Sequence, residues 1–149
     1  MTRGRKLQAL AAGMALLGTT LVGAVTTAGP AAAASGPSCP AGALGGSSHV
    51  YRDSAGRVAA IGYISTYNWG GCAYLVAQGP YYGMYKWMDV QIRTDNGQTG
   101  YDAGHFMYYA GPVSATSPTT GSQCMTIWFD MLNSAGTRVV QDTIETPCD

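Results

Sequence analysis

The chain has 149 residues, of which 46% are hydrophobic and only 11% charged, and its eight basic residues balance its eight acidic ones. That length suits one folded domain and not two. The sparse, scattered charge excludes the basic footprint of a nucleic-acid binder and the polybasic patch of a membrane-surface protein.

Arg3, Arg5 and Lys6 open the chain, an apolar Leu/Ala/Gly-rich stretch runs from Leu7 to Val25, and Ala32-Ala33-Ala34 offers the small-x-small pattern of a cleavage site. Together they predict a signal peptide over residues 1–34, removed on export. What remains keeps five basic residues, Arg52, Arg57, Lys86, Arg93 and Arg138, against all eight acids, so the exported part is weakly acidic. It holds no second apolar stretch long enough to span a bilayer, so no membrane association is expected after cleavage.

All four cysteines, Cys39, Cys72, Cys124 and Cys148, lie in the exported part. An even count in a small secreted chain reads as two disulfides. A four-thiolate zinc site would need closely spaced pairs, which these long gaps do not supply. A turn at Ser134-Ala135-Gly136 would fold the strand carrying Cys124 back onto the segment ending near Cys148. The count alone leaves three pairings open; this turn favours Cys124–Cys148 and, by default, Cys39–Cys72.

Residues 35–47, rich in Gly, Pro, Ser and Ala, read as a flexible arm tethered by Cys39, with an all-β domain over 48–149. His49 to Asp53 is a first β-favouring run, and Ser54-Ala55-Gly56 turns it. Arg57 to Tyr67 follows, Asn68-Trp69-Gly70-Gly71 turns again, and Cys72 to Gln78 runs up to Gly79-Pro80.

The clearest alternation comes next. Met84, Met88, Val90 and Ile92 share one parity, interrupted by Lys86, while Tyr85, Trp87, Asp89, Gln91 and Arg93 share the other. Period two over this length predicts a half-buried strand whose aromatics face the wetter side, with Lys86 at a sheet margin. Asp95-Asn96-Gly97 is a hairpin turn signal. Gly100 to Gly104 reads as a loop and His105 to Ala110 as a strand, which Gly111-Pro112 kinks or ends before Val113 to Ala115. Ser117 to Ser122 reads as a polar loop, Gln123 to Leu132 as a long apolar strand, Asn133 to Gly136 as a turn and Thr137 to Glu145 as the last strand. Seven or eight short strands and no helical periodicity predict a single antiparallel β-sandwich or barrel stapled by two disulfides.

Ten Tyr and three Trp are the compositional outlier. Tyr82, Tyr85, Trp87, Tyr108 and Tyr109 are the candidate binding surface, because exposed aromatic rings supply large contact area at low entropic cost. The competing reading is ordinary sheet composition, since aromatics fit a pleated surface. Catalytic constellations are thin. Asp102 lies three residues before His105, which suits a surface histidine near a turn better than a dyad. There is no nucleophile elbow. A glycosidase would need two convergent carboxylates, and Asp89, Asp95, Asp102 and Asp130 are candidates only because every chain carries some acids. Asp95-Asn96-Gly97 with Asp102 lacks the alternating oxygen ligands of a calcium loop. No catalytic residue, cofactor or metal ligand is therefore expected.

Three pieces of the chain resemble one family. They are Thr66-Tyr67-Asn68 with Gly71-Cys72; Asp102-x-Gly104-x-Phe106-x-Tyr108-Tyr109-Ala110-Gly111-Pro112-Val113; and a Gly-x-x-Cys strand, Gly121 to Cys124, with the terminal Cys148. On these the chain resembles the spore-associated protein A family of small secreted proteins from filamentous spore-forming bacteria. It departs from that pattern at Asn68-Trp69-Gly70-Gly71, at Val113-Ser114-Ala115 and at Asp149. The resemblance implies a secreted, non-enzymatic protein of the spore or cell surface. The alternative is a secreted binding module or inhibitor that contacts polysaccharides or another secreted protein, such as a hydrolase, through its exposed Tyr and Trp.

Overall fold

The computed structural model describes residues 36–117 and 124–146. The expected signal peptide and Cys148 lie outside them. The described residues form eight strands: β1 (Gly45–Arg52), β2 (Val58–Tyr67), β3 (Gly70–Ala77), β4 (Lys86–Thr94), β5 (Thr99–Phe106), β6 (Tyr109–Thr116), β7 (Met125–Leu132) and β8 (Arg138–Glu145). One turn of 3-10 helix, Gly79–Tyr81, follows β3. The strands pair antiparallel in two four-stranded sheets, β1-β2-β3-β6 and β5-β4-β7-β8. Of the two expected architectures, the chain adopts the sandwich.

The two inner faces differ in kind. The second sheet sends in bulk: Met88, Val90 and Ile92 from β4, and Met125, Ile127, Phe129 and Met131 from β7. The first sheet answers largely with small residues: Ala60 from β2, Ala73 and Ala77 beside Leu75 from β3, and Ala110 and Ala115 beside Val113 from β6. Large against small lets the layers close to interior density. Gly62 is the extreme case. A Cβ there would lie 2.8 Å from a ring carbon of Phe129, so only glycine leaves room for that ring. Tyr51 of β1 packs tilted against Phe129, ring centroids 6.0 Å apart.

Each side of the sandwich is closed by a carboxylate. On one side β5 and β6 are the edge strands, and Asp102 of β5 turns inward, opposite buried Val90. Its Oδ2 accepts a hydrogen bond from the Gly111 N–H of β6 at 2.7 Å. On the other side, Asp142 of β8 stands opposite buried Phe129 and accepts the Tyr51 hydroxyl of β1 at 3.0 Å. Inward-pointing charge on an edge strand discourages further strands from adding on.

Three hairpins are closed by five-residue turns of one design. Asp53 accepts the Ala55 and Arg57 N–H groups, and Asn133 accepts those of Ala135 and Thr137, all at 2.9 Å. Short side chains that mimic the backbone acceptor explain why Asp and Asn head these turns. In the third, Thr94-Asp95-Asn96-Gly97-Gln98, the Thr94 N–H donates to the Gln98 carbonyl and the Gly97 N–H to the Thr94 carbonyl. Asp95-Asn96-Gly97 is thus the β4–β5 hairpin turn.

Several boundaries differ from expectation. β1 starts at Gly45, inside the segment read as an arm, because Gly45 to Ser48 need only main-chain groups to pair with Thr66 to Tyr63. The arm is further tied where Leu44 N–H donates to Thr66 O and the Tyr67 hydroxyl to Pro40 O, both at 2.8 Å. Gly100 to Gly104 is not a loop but the body of β5. Gly100 is needed there because a Cβ would fall 2.4 Å from the Ser114 carbonyl oxygen of β6. His105 to Ala110 is not one strand, since β5 ends at Phe106 and β6 begins at Tyr109 in the other sheet. Gly111-Pro112, joined by a cis peptide bond, stays within β6. An edge strand tolerates proline because one row of its N–H groups has no ladder partner.

Cys39 and Cys72 form the expected disulfide, S–S 2.02 Å, and no described cysteine is free. The expected Cys124–Cys148 pair involves a residue outside the described ones.

The Asp102–Gly111 bond is testable. Asp102→Ala leaves a part-buried N–H without its acceptor and should lower unfolding free energy by about 1–3 kcal/mol. Asp102→Asn, which keeps an acceptor oxygen, should lose less. Urea unfolding reads both, and an unchanged midpoint for the alanine variant would refute the assignment.

Candidate functional site

The outer face of the β5-β4-β7-β8 sheet follows from strand parity. β4 turns Trp87, Asp89, Gln91 and Arg93 outward, and β7 turns Thr126, Trp128, Asp130 and Leu132 outward. Tyr101, Ala103 and His105 stand on the exposed parity of β5. Register then places side chains in rows. Tyr101, Gln91, Trp128 and Thr143 form one row, and Ala103, Asp89, Asp130 and Gln141 the next.

At one end of this face three rings meet. Tyr85, two-thirds exposed at 66%, stacks on the His105 imidazole with centroids 5.2 Å apart and 18° between planes. Trp87 meets the same imidazole edge-on at 5.4 Å and 82°. This T-shape is a preferred arrangement for such rings. His105 and Trp87 are cross-strand partners, so the ladder itself sets their contact.

A second pair sits beside the crossover between the sheets, where Tyr82 and Tyr108 meet with centroids 4.9 Å apart, both exposed. Lys86 holds the backbone there. It is 1% exposed, and its Nζ donates to the carbonyls of Met84 and Met107, both at 2.9 Å. The Gly83 N–H also donates to the Met107 carbonyl, at 3.0 Å. The segments carrying Tyr82, Tyr85 and Tyr108 are therefore fastened to one buried ammonium. As expected, Lys86 stands at a margin, the first residue of β4; its burial and its stapling role are new. Burial lowers its pKa to about 8.

Of the five expected surface residues, Tyr85 and Trp87 come together around His105, and Tyr82 pairs with Tyr108. Tyr109 is exposed on the first strand position of β6, in the other sheet. Asp102 and His105, weighed as a dyad, are three apart in β5 and point to opposite faces, so they do not meet. Asp130 does face outward. Arg138 holds it with a two-pronged ion pair, Nε to Oδ1 and the terminal nitrogen to Oδ2, each 3.1 Å. Asp89 accepts Gln91 Nε2 on Oδ2 at 2.8 Å, while its buried Oδ1 has no partner. Among the described residues no three His, Cys, Asp or Glu side chains gather as a metal site needs.

Sequence reading missed Trp128 and Tyr101. Trp128 carries the parity opposite to Met125, Ile127, Phe129 and Met131, a signal present in the alternation but hidden when the run is taken as uniformly apolar. Tyr101, 74% exposed, lay in the segment read as a loop. Scans against protein-family models, curated proteins and solved structures each return no match. The resemblance to the spore-associated protein A family rests on the quoted residues alone.

The lysine staple predicts a pH dependence. With Lys86 at about 8 in the folded state against 10.5 unfolded, the unfolded chain holds the extra proton between those values. Stability contributed by this group therefore rises as pH climbs from about 8 to 10.5. Tyr51 works the other way above pH 10, because burial first and Asp142 second raise its phenol. Urea unfolding at pH 7 and 9.5 should show wild type gaining relative to Lys86→Met. A pH-independent difference would refute it.

Proposed function

We propose that the chain is an exported, non-enzymatic protein that attaches to the spore or cell surface through the aromatic outer face of its β5-β4-β7-β8 sheet. The observation that carries this reading is the Tyr85–His105–Trp87 cluster, with two rings and an imidazole side by side on a strand face and not in a reactive cleft. Rigid, amphipathic rings supported from below suit contact with a sugar or protein surface. The Cys39–Cys72 bridge supports an oxidising, extracytoplasmic destination, and Cys124–Cys148 is proposed as its counterpart. The separated Asp102 and His105 remove the one dyad the sequence offered.

A second reading, contact with a secreted hydrolase, is favoured by the Tyr82–Tyr108 pair, whose exposed rings sit where the chain crosses between sheets. The two readings use different residues.

The test is co-sedimentation of the protein comprising residues 35–149 with spores and hyphae. Trp87→Ala should weaken retention by about 2 kcal/mol, roughly thirtyfold, as central anchor rings do. Tyr82→Ala should leave it within a few fold. Retention of Trp87→Ala at the wild-type level, with far-UV spectrum and melting unchanged, would end the surface-attachment reading. Loss with Tyr82→Ala alone would transfer the site to the crossover pair.

A further inference from the structure

We propose that Trp128 is the floor of a sugar-binding subsite and that its ligand is a hydroxyl-rich polysaccharide without acidic groups. This deepens the surface-attachment reading and rests on it for the location of the ligand. Trp128 stands half-buried at the centre of the sheet and borders three depressions, two of which also share Gln91. One, of about 200 Å³, is lined also by Asp89, Asp130, Gln141 and Thr143. The other, of about 230 Å³, is lined also by Arg93, Thr99 and Tyr101.

The chemistry of these walls is selective. A pyranose ring has an apolar C–H face that lies on an indole and a rim of hydroxyls that both donate and accept. Gln91 and Thr143 are Trp128's cross-strand neighbours on either side, so carboxamide and hydroxyl groups border the indole as hydrogen-bond partners for that rim. Asp89 positions one of these groups: its Oδ2 accepts Gln91 Nε2 at 2.8 Å, which holds the carboxamide in place beside the indole and leaves the amide oxygen to accept from a sugar hydroxyl.

Charge decides what is refused. Asp89 faces Asp130 across the β4–β7 ladder, and Arg138 neutralises only Asp130. Arg93 borders the second depression, but Asp89, Asp95, Asp130, Asp142 and Glu145 line the depressions around Trp128. Only Arg93 there and Arg138 on Asp130 oppose them, and this net negative charge repels uronates, phosphates and sulfates. The Trp87 row lies two steps of two residues from the Trp128 row along β4, or roughly 13 Å. Both aromatic platforms are thus within reach of one oligosaccharide.

Affinity electrophoresis of the protein comprising residues 35–149 in gels containing hydroxyethyl cellulose, laminarin or dextran tests this, with polygalacturonate as the acidic comparison. At least one neutral polymer should retard the wild type, and polygalacturonate should not. Trp128→Ala should weaken that retardation at least tenfold. Gln91→Ala, exposed and less disruptive to folding, should weaken it several-fold. Retardation unchanged in both variants, no retardation by any of the three neutral polymers, or preference for polygalacturonate would overturn the proposal. Spore retention lost with Trp87→Ala but unaffected by Trp128→Ala, together with no retardation in neutral gels, would overturn the sugar subsite and leave surface attachment standing.

Discussion

The fold depends on how its open sides are closed. A two-sheet sandwich has four edge strands, and here they meet in pairs, β5 beside β6 and β1 beside β8, each pair joined by one inward carboxylate. The two bonds are not equivalent. Asp102 accepts from a backbone N–H, so it fixes the main chain of β6 at Gly111. Asp142 accepts from Tyr51, whose ring also rests against Phe129. The second closure therefore couples a polar bond to the centre of the core. A charge placed inward at an edge costs desolvation, and its hydrogen-bond donor offsets that cost. It also makes the edge unsuitable for another strand.

Once the sides are closed, the inner faces constrain the outer ones. Bulk arrives from β4 and β7 and small residues from β2, β3 and β6, so these strands are locked in register. A slip of one residue would bury Asp89 and expose Val90. With register locked, Trp87, Asp89, Gln91, Trp128 and Asp130 are committed to one surface. Lys86 extends the same logic past the strand end. Its stem continues the inward parity of Met88, Val90 and Ile92, and its ammonium reaches two carbonyls that no ladder uses.

Much of this was legible in the residues. Period-two alternation in β4 located the inward and outward faces, and the Ser-Ala-Gly and Asp-Asn-Gly turns located three hairpins. Strand count and spacing narrowed the architecture to a sandwich or a barrel, and the Cys39–Cys72 bridge was reached by default from the even cysteine count and the turn after β7. What failed had a common cause. Gly45-Gly46, Gly100 to Gly104 and Gly111-Pro112 carry loop composition but form strands. In each case a tertiary neighbour, and not local propensity, fixes the backbone. Gly100 lies against the Ser114 carbonyl, and Asp102 grips Gly111. The block from Asp102 to Val113 is such a case throughout. It spans the passage from one sheet to the other, which no local pattern encodes. Trp128 was lost for a different reason, because an apolar outward residue in an apolar run masks its own parity.

Folding alone does not ask for the outer face of the second sheet to look as it does. Thr, Lys or Arg at the outward positions of β4 and β7 would pair across the ladder equally well and keep the surface soluble. Instead, Asp89 stands opposite Asp130, a like-charge pairing that is unfavourable in a sheet, and two indoles occupy positions where water meets the strand. Arg138 relieves one carboxylate and leaves the other with an unpaired buried oxygen. Local rules that hold at the core, the turns and the edges are broken together here, within a few residues of one another. Such concentrated departures are expected at functional or strained sites. The first sheet's outer face shows the contrast. There Tyr63 and Tyr74 stack on each other at 4.8 Å as register partners, a pairing that sheet stability by itself explains.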